Sequence, residues 1–170
     1  KHQTEENAKQ FPVIVSQDCG QTEVAKLIDH YKPKIYKHIQ HPDLSPIDGY
    51  GAISRHYKWA MSQVFDEMNF DHAIFIEEDL DVAVDFFEYF EALKPLLDSD
   101  PMILCISAWN DNGMENFVRN PETLYRTDWF PGLGWMLKKS LWKELQTKWP
   151  ARYWDDWLRH SDQRKDRVCI

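Results

Sequence analysis

The chain has 170 residues, 43% of them hydrophobic and 14% aromatic, and a formal net charge of -8 at pH 7. This length and composition predict one globular domain, or a piece of a larger protein, and exclude a disordered chain. The negative charge argues against a protein that binds nucleic acid or anionic lipid through its overall field, although a bound metal could attract a nucleotide locally.

The hydropathy of the chain predicts no segment that crosses a membrane. No apolar run approaches the ~20 residues that a spanning helix needs. The charged first residues are not typical of a signal peptide, so we expect any membrane anchor of the native protein to lie outside this chain.

The first predicted strand, residues 11–15, is followed by the polar residues Ser16, Gln17 and Asp18. A short apolar run of this kind is typical of a buried strand. The Asp18 carboxylate could accept the imide N–H of a uracil ring, or it could cap the turn before the next helix, which is the commoner role.

A helix is then predicted to begin at Thr22 and to end at Pro33. Its apolar residues follow the i, i+3, i+4, i+7 spacing of an amphipathic helix: Val24, Leu27, Ile28 and Tyr31. Residues 35–39 alternate like a strand, and prolines and glycines predict a loop over residues 40–51.

A longer helix is predicted after that loop, with a buried stripe made of Ile53, Tyr57, Ala60, Val64, Phe65 and Met68. His56 lies beside this stripe, where a histidine is more often structural than functional. The alternation of strands and helices through this half predicts a parallel, Rossmann-like α/β sheet.

The most informative stretch is residues 73–81, in which an apolar strand runs directly into Glu77, Glu78 and Asp79. Adjacent carboxylates repel one another, and a divalent metal that bridges to a phosphate would relieve this repulsion. Ligands of open α/β sheets bind at the carboxyl ends of strands, where this acidic run falls. Alternation along an extended backbone predicts Glu77 and Asp79 on one face and Glu78 on the other.

The acidic run also has a simpler interpretation. It could be a solvated loop before a helix, because Asp85 and Glu88 have the spacing of a capping pair. The helix itself is predicted from the core-facing residues Phe86, Phe90, Leu93 and Leu97, with a perturbation near Pro95. Residues 102–107 form the next predicted strand, and residues 109–113 a turn-rich loop.

Residues 127–135 combine two glycines with three large aromatic residues. Gly132 and Gly134 permit unusual backbone angles or close approach of a ligand. Aromatic faces suit the apolar face of a sugar, although core packing of a turn explains the same composition. A strand is predicted to resume at residues 135–137, followed by a short helix that Ser140 caps and Pro150 closes.

A second acidic pair, Asp155 and Asp156, lies among tryptophans. At helical spacing Trp154, Trp157 and Leu158 share one face, which places the pair in the first helical turn. The pair could simply stabilise the helix terminus through the helix dipole. A carboxylate held against tryptophans could instead act as a general base for a hydroxyl, because apolar surroundings raise carboxylate basicity.

The chain contains three cysteines, Cys19, Cys105 and Cys169. They are too few for a disulfide-rich scaffold, and their spacing is not that of a zinc site. An odd count leaves one thiol without a partner inside the chain, and three free, buried cysteines remain equally compatible with the count.

Taken in order, these stretches resemble the N-acetylglucosaminyltransferase I family, and the resemblance covers the chain almost from end to end. The stretches that show it are FPVIVSQDCG, SRHYKWA, EEDLDVAVDFFEYF, ISAWNDNG, LYRTDWFPGLGW, KWPARYWDDWLR and RVCI. The resemblance implies a GT-A fold, a mixed and mainly parallel sheet flanked by helices, truncated at both ends. It also implies a single partial catalytic domain, with a donor-binding half at about residues 11–82 and an acceptor half at about 83–170.

The family transfers N-acetylglucosamine from UDP-N-acetylglucosamine to a mannose 2-hydroxyl, with inversion and with manganese. The resemblance therefore implies a UDP-N-acetylglucosamine donor, an oligomannose N-glycan acceptor and a Mn²⁺ cofactor. By the same resemblance, Asp79 is expected to be the metal ligand and Asp155 the catalytic base, with Trp154 beside it. Glu77 is expected to contact the donor sugar, Glu78 the ribose and Arg167 the diphosphate. The expected uracil contacts are Asp18 and His56.

The resemblance further implies a disulfide between Cys105 and Cys169, and a partner for Cys19 that precedes residue 1. It implies the Golgi lumen as the location, within a single-pass type II membrane protein. Glu78 stands where the family usually has aspartate, which weakens the ribose assignment. Because family segments before and after this chain are absent, we expect the isolated 170-residue chain to have little or no activity.

Three other functions fit some of these features. A protein O-mannose β-1,2-N-acetylglucosaminyltransferase is a close relative of the same family. A metal-dependent phosphohydrolase could use the acidic strand end to activate water, but it would need a second cluster of metal ligands. A non-catalytic module that binds UDP-sugar or glycan would retain the same motifs after loss of the active site.

Overall fold

The computed structural model describes residues 9–18, 20–43 and 45–170. Its strands are β1 (Ile14–Gln17), β2 (Lys37–Gln40), β3 (His72–Phe75), β4 (Ile103–Ser107), β5 (Trp135–Lys138) and β6 (Val168–Cys169). Its helices are α1 (Thr22–His30), α2 (Gly49–Ser62), α3 (Phe86–Ser99), α4 (Lys139–Leu145), α5 (Trp154–Arg159) and α6 (Ser161–Arg164). Among these residues no helix has both the length and the apolar character needed to span a bilayer.

The strands form a parallel pair, β1–β2, and a four-stranded sheet in the order β3-β5-β4-β6. β5 is antiparallel to both of its neighbours, and β6 is parallel to β4, so β3, β4 and β6 all point the same way. This arrangement confirms the predicted mixed α/β fold with helices beside the sheets. It is not mainly parallel, because two of the described strand pairings are parallel and two are antiparallel. Since β3 and β4 share a direction, the acidic run after β3 and the long loop after β4 leave the sheet at the same edge.

Helices cover both faces of the four-stranded sheet. Alternate residues of β5 point to opposite faces, as strand geometry requires, so Met136 packs with α3 while Trp135 and Leu137 pack on the other side. The α3 layer contains the predicted residues Phe86, Phe90, Leu93 and Leu97, all buried. The opposite layer is dominated by aromatic residues of α2, α4 and α5 and their connections, including Phe65, Trp142, Trp149 and Trp154.

The predicted disulfide between Cys105 and Cys169 is present in the structure. It joins β4 to β6, and both cysteines are almost completely buried. The interpretation of three free cysteines is therefore wrong. Cys19 lies outside the described residues, so the prediction about its partner stays a prediction.

Several predicted boundaries are wrong near the beginning of the chain. β1 occupies Ile14–Gln17 rather than residues 11–15, and α2 begins at Gly49, inside the predicted loop. The earlier start of α2 has a local cause, because the Asp48 side chain accepts a hydrogen bond from the Gly51 amide and caps the helix. The amphipathic stripe of α1 is also largely exposed, since only Ile28 is buried while Leu27 and Tyr31 face solvent.

Two predicted helix caps are not found. α4 begins at Lys139, one residue before Ser140, so Ser140 lies inside the helix and does not cap it. Asp85 does occupy the position before α3, but its side chain makes no capping hydrogen bond. The capping-pair interpretation of Asp85 and Glu88 is therefore wrong, and capping does not account for the acidic run that precedes them.

Candidate active site

The acidic run forms a turn at the carboxyl end of β3. The strand ends at Phe75, and the Leu80 amide donates to the Glu77 carbonyl at 3.3 Å, which bends the backbone at Glu78 and Asp79. The prediction that Glu77 and Asp79 share one face by strand alternation is therefore wrong, because the backbone is no longer extended there. Glu77 is half-buried, whereas Glu78 and Asp79 are exposed.

Tyr57 of α2 connects this turn to the second acidic pair. Its hydroxyl donates a hydrogen bond of 2.8 Å to Oε1 of Glu77. Its ring centroid lies 4.2 Å from that of Trp154, the first residue of α5. Burial, and then the charges of Glu77, Glu78 and Asp155, raise the pKa of Tyr57 well above its usual range, so the hydroxyl stays protonated and remains a donor.

Trp154 fixes the start of α5. The indole is buried, and its ring lies 5.8 Å from the rings of both Trp135 and Trp149. Tyr153, just before it, has a left-handed backbone with φ of 51°, which turns the chain into the helix. The predicted shared face is confirmed for Trp154 and Leu158, and Asp155 is left half-buried at the surface.

Glu77, Trp154 and Asp155 line one pocket of about 380 Å³. The structure therefore brings together three residues that are up to 78 positions apart in the sequence, since 155 minus 77 is 78. The pocket lies at the sheet edge where β3 ends, which is the usual ligand position in open α/β sheets.

Arg159 holds Asp155 from within the same helix. Its Nη1 lies 3.3 Å from Oδ2 of Asp155 and 2.7 Å from Oδ1 of Asp156. Its Nε donates to the Phe130 carbonyl at 3.2 Å, and its guanidinium carbon lies 4.5 Å from the ring centre of Trp129. The sequence reasoning missed Arg159, although its i+4 spacing from Asp155 is that of a helical ion pair.

Asp18 and His56 form a second group, at the carboxyl end of β1. Nδ1 of His56 lies 3.5 Å from Oδ1 of Asp18, and Nε2 is hydrogen-bonded to the Ser16 hydroxyl at 3.0 Å. Both Asp18 Oδ1 and His56 Nδ1 are buried atoms without a hydrogen bond among the described residues. Burial lowers the pKa of His56, although the charge of Asp18 opposes this effect, so the ring is neutral at pH 7.

Arg167 lies in neither group. Its guanidinium makes a bidentate ion pair with Glu144, at 3.0 and 2.8 Å, and it also donates to the Gln163 carbonyl at 2.8 Å. The side chain is 9% exposed. A contact between Arg167 and a diphosphate stays a prediction, and it would require this arginine to leave Glu144.

The comparison with known families agrees with this geometry. The family model described as the GNT-I family matches residues 2–170. This chain belongs to the GNT-I family.

A curated relative of this GNT-I chain supports the same family assignment and carries a more specific name. The chain is 45% identical, over 171 residues, to an alpha-1,3-mannosyl-glycoprotein 2-beta-N-acetylglucosaminyltransferase of Arabidopsis thaliana. The match covers 96% of this chain and 38% of that relative, so the chain spans well under half of the relative's length. The family resemblance seen in the motifs is thereby confirmed.

A metal in this GNT-I chain would need most of its ligands from outside the protein. Within the described ranges no group of three or more histidine, cysteine, aspartate or glutamate residues could hold a metal ion. Asp79 nevertheless fits the role of a single protein ligand, since its exposed carboxylate has no hydrogen bond or ion pair to any described residue. Diphosphate oxygens and waters commonly complete such hard-cation shells.

Proposed function

We propose that the native protein containing this chain transfers N-acetylglucosamine from UDP-N-acetylglucosamine to the 2-hydroxyl of a terminal α-1,3-linked mannose of an N-glycan, with inversion. The observation that supports it most directly is the pocket in which Glu77, at the end of β3, faces Trp154 and Asp155 of α5. The 45% identical relative, whose name describes this transfer to mannosyl-glycoprotein, supports the same reaction.

Asp155 is the catalytic base in this proposal. The mannose 2-hydroxyl oxygen attacks the anomeric carbon, the bond from that carbon to the diphosphate oxygen breaks, UDP leaves with the bonding electrons, and Asp155 accepts the hydroxyl proton. A single displacement of this kind inverts the anomeric carbon. Arg159 orients the carboxylate through its contact with Oδ2.

The donor is held by the ends of β1 and β3. Asp18 and His56 would bind the uracil, because their two unsatisfied buried atoms can pair with the donor and acceptor groups of its edge. Glu77, fixed by Tyr57, would contact the transferred sugar, and Glu78 the ribose. Asp79 would hold a Mn²⁺ ion, which supplies charge neutralisation for the departing diphosphate when it is bound.

We also propose the Golgi lumen as the location, within a single-pass type II membrane protein. The disulfide between Cys105 and Cys169 supports a compartment of this kind, because buried structural disulfides form and persist under oxidising conditions.

Two substitutions in the native protein test the assigned roles. Asp155→Asn should lower kcat by at least a thousandfold while UDP affinity stays within twofold, because only proton removal is lost. Asp79→Asn should remove both transfer and Mn²⁺-dependent UDP binding. Asp162→Asn changes an exposed first-turn aspartate of α6 and serves as the matched control, which should keep wild-type kinetics. An active Asp155→Asn enzyme would falsify the base assignment.

Acceptor and nucleotide tests separate the alternatives. We expect faster transfer to oligomannose N-glycans than to O-mannosyl peptides, and the reverse order would favour the O-mannose enzyme. In a titration with Mn²⁺, UDP should bind more tightly than ADP, whereas a phosphohydrolase should show no such preference. Tight UDP binding without transfer to either acceptor would favour a non-catalytic module.

A further inference from the structure

A second and larger cavity lies beside the Asp155 pocket. Its volume is about 730 Å³, within the roughly 300–1,000 Å³ typical of ligand sites. It opens between the segment from Leu80 to Tyr89 and the loop that connects β4 to β5. None of the roles assigned above uses this cavity, which we call the β4–β5 groove.

We propose that the β4–β5 groove binds a neutral oligosaccharide, namely the sugar units of the acceptor that lie beyond the reacting mannose. This inference rests on the proposed function for the identity of the reacting sugar. It adds a binding site and residues that hold the acceptor.

The side chains of the groove match a neutral sugar. The indole rings of Trp109 and Trp129 are about half exposed, at 49% and 50%, and Tyr125 is 58% exposed. Flat aromatic faces bind the apolar faces of sugar rings, while carboxylates and amides accept or donate hydrogen bonds to hydroxyls. Such polar groups are supplied by Asp81, Asp85, Asp111, Asn110, Asn112 and Asn120.

The charge of the groove excludes an anionic occupant. The described residues that line it include no lysine, arginine or histidine, while Asp81, Asp85 and Asp111 contribute negative charge. Arg159, which lies over the Trp129 ring of the groove, is a nearby cation, but its charge is paired with Asp155 and Asp156. The three groove aspartates would therefore repel a phosphate, a sialic acid or an acidic peptide. A cationic or purely apolar occupant does not explain the exposed asparagine amides, so a polyhydroxylated neutral ligand fits best.

Two of the aromatic rings are held in place before any ligand binds. The Trp109 indole N–H donates to Oδ1 of Asp111 at 2.9 Å. The Arg159 guanidinium lies over one face of the Trp129 ring. The backbone amide of Trp129 donates to the Thr127 hydroxyl at 3.1 Å. Aromatic side chains that are fixed in this way lose little conformational entropy when they bind a ligand.

The groove adjoins the Asp155 pocket. Asp111, Pro131 and Leu133 line both cavities. Between them, Gly132 and Gly134 have φ of +79° and +59°, and a Cβ at Gly132 would lie 3.2 Å from the Phe130 ring. A side chain at either glycine would therefore strain the backbone or crowd its neighbours in the segment between the cavities. An oligosaccharide whose terminal mannose lies at Asp155 would extend past this segment into the groove.

The test compares two acceptors in the native protein: an oligomannose N-glycan, and a simple α-mannoside that presents only the reacting sugar. Trp109→Ala should raise KM for the oligomannose acceptor about tenfold, the loss expected for one stacking contact, and change KM for the simple mannoside less than twofold. Trp109 is suited to this test because it lines the groove and does not line the Asp155 pocket.

A second variant and a control show whether a change in KM comes from the groove or from misfolding. Ala83→Trp places a bulky ring into the groove from an exposed turn and should have the same selective effect on the long acceptor. Tyr31→Ala removes an aromatic ring of similar exposure, 51%, that does not line the groove, and should leave both KM values unchanged.

Direct binding separates failure of this inference from failure of the proposed function. Oligomannose is titrated against the protein with UDP and Mn²⁺ present, so that no transfer occurs. Weaker binding by Trp109→Ala and Ala83→Trp supports the groove even if the native protein never transfers sugar. Two outcomes would overturn the proposed groove site and leave the transferase function intact. In the first, both variants transfer to and bind the long acceptor as well as the native protein does. In the second, both variants weaken transfer to and binding of the two acceptors equally. Absence of any oligomannose binding by the native protein would also overturn it.

Discussion

The Tyr57 hydroxyl donates a 2.8 Å hydrogen bond to Glu77, across 20 positions of sequence and from α2 to the end of β3. The same tyrosine ring packs 4.2 Å from Trp154, the residue that precedes Asp155. One side chain therefore sets the position of the carboxylate proposed to contact the donor sugar relative to the helix that presents the proposed base. Because the pKa of Tyr57 is raised, this relationship persists over the whole physiological pH range.

Tyr57→Phe should weaken donor binding without unfolding the protein. The change keeps the ring that packs on Trp154 and removes only the donor to Glu77, and a hydrogen bond to a charged group contributes about 1.5–3 kcal/mol. We expect KM for UDP-N-acetylglucosamine to rise roughly tenfold. Tyr36→Phe, which removes an exposed hydroxyl, is the control. Unchanged donor kinetics in Tyr57→Phe would show that Glu77 needs no support from α2.

The fold was predictable where burial patterns are strong. The α3 residues Phe86, Phe90 and Leu97 repeat with helical spacing and are all buried, and every residue of β4 is buried, so both elements were predicted close to their true positions. The pattern failed in α1, where Leu27 and Tyr31 have helical spacing but face solvent. Spacing reports that a helix has an apolar face, and it does not report whether a partner covers that face.

The site was less predictable than the fold. The sequence pattern singled out Glu77 and Asp155 separately, because each lies in a cluster of carboxylates, but only their resemblance to a known family related them to one reaction. Tyr57 was predicted as a core residue of the α2 stripe, and its hydroxyl contact with Glu77 has no signature in spacing. Arg159 could have been found from its i+4 relation to Asp155.

Glu144 and Arg167 should make stability depend on acid pH. The pKa of Glu144 is lowered from an ordinary 4.5 to about 2, chiefly by hydrogen bonds from Arg167. Burial raises this pKa in part, and Lys165 lowers it further. The folded state therefore binds this proton less readily than the unfolded state does. The resulting stability is complete above about pH 4.5 and is lost as the pH falls from there toward about 2.

Urea unfolding of the native protein and of Glu144→Gln measures this contribution. After allowance for solvent screening at a carboxylate that is 30% exposed, we expect the wild type to be more stable by about 1–2 kcal/mol at pH 7. The difference should shrink toward zero near pH 2.5. Asp29→Asn, at an exposed ion pair with Lys32, is the control and should show almost no difference at either pH. A difference that stays constant with pH would contradict the assignment to Glu144.

The disulfide between Cys105 and Cys169 should contribute a large share of stability. It closes a loop with a sequence separation of 64, and removal of a native disulfide typically costs about 2–5 kcal/mol. Cys105→Ala and Cys169→Ala should therefore destabilise the protein to a similar extent, and the double variant little further. Reductant should lower the melting temperature of the wild type to near that of the double variant and leave the double variant unchanged. A wild type that is insensitive to reductant while the double variant is destabilised would assign the effect to packing of the two buried side chains.

Arg159 should act as a positioning residue for Asp155. It holds Oδ2 of Asp155 at 3.3 Å and is itself held by the Phe130 carbonyl and the Trp129 ring, so the carboxylate is presented to the pocket in one orientation. Arg159→Gln removes the charge and most of the forked geometry, and we expect kcat to fall about tenfold to a hundredfold, or roughly 1.4–2.7 kcal/mol. KM for UDP-N-acetylglucosamine should change less than twofold, since Arg159 contacts neither Glu77 nor Asp79.

Arg159→Lys distinguishes positioning from a merely structural role. Lysine retains the positive charge near Asp155 but lacks the planar guanidinium, so kcat of Arg159→Lys should lie between those of the wild type and Arg159→Gln. If Arg159 only stabilised the fold, restoring the charge would not restore kcat. Arg164→Gln is the matched control, because Arg164 belongs to the neighbouring α6 and does not line the Asp155 pocket. If Arg159→Gln raises KM and leaves kcat intact, Arg159 serves substrate binding and does not orient the base.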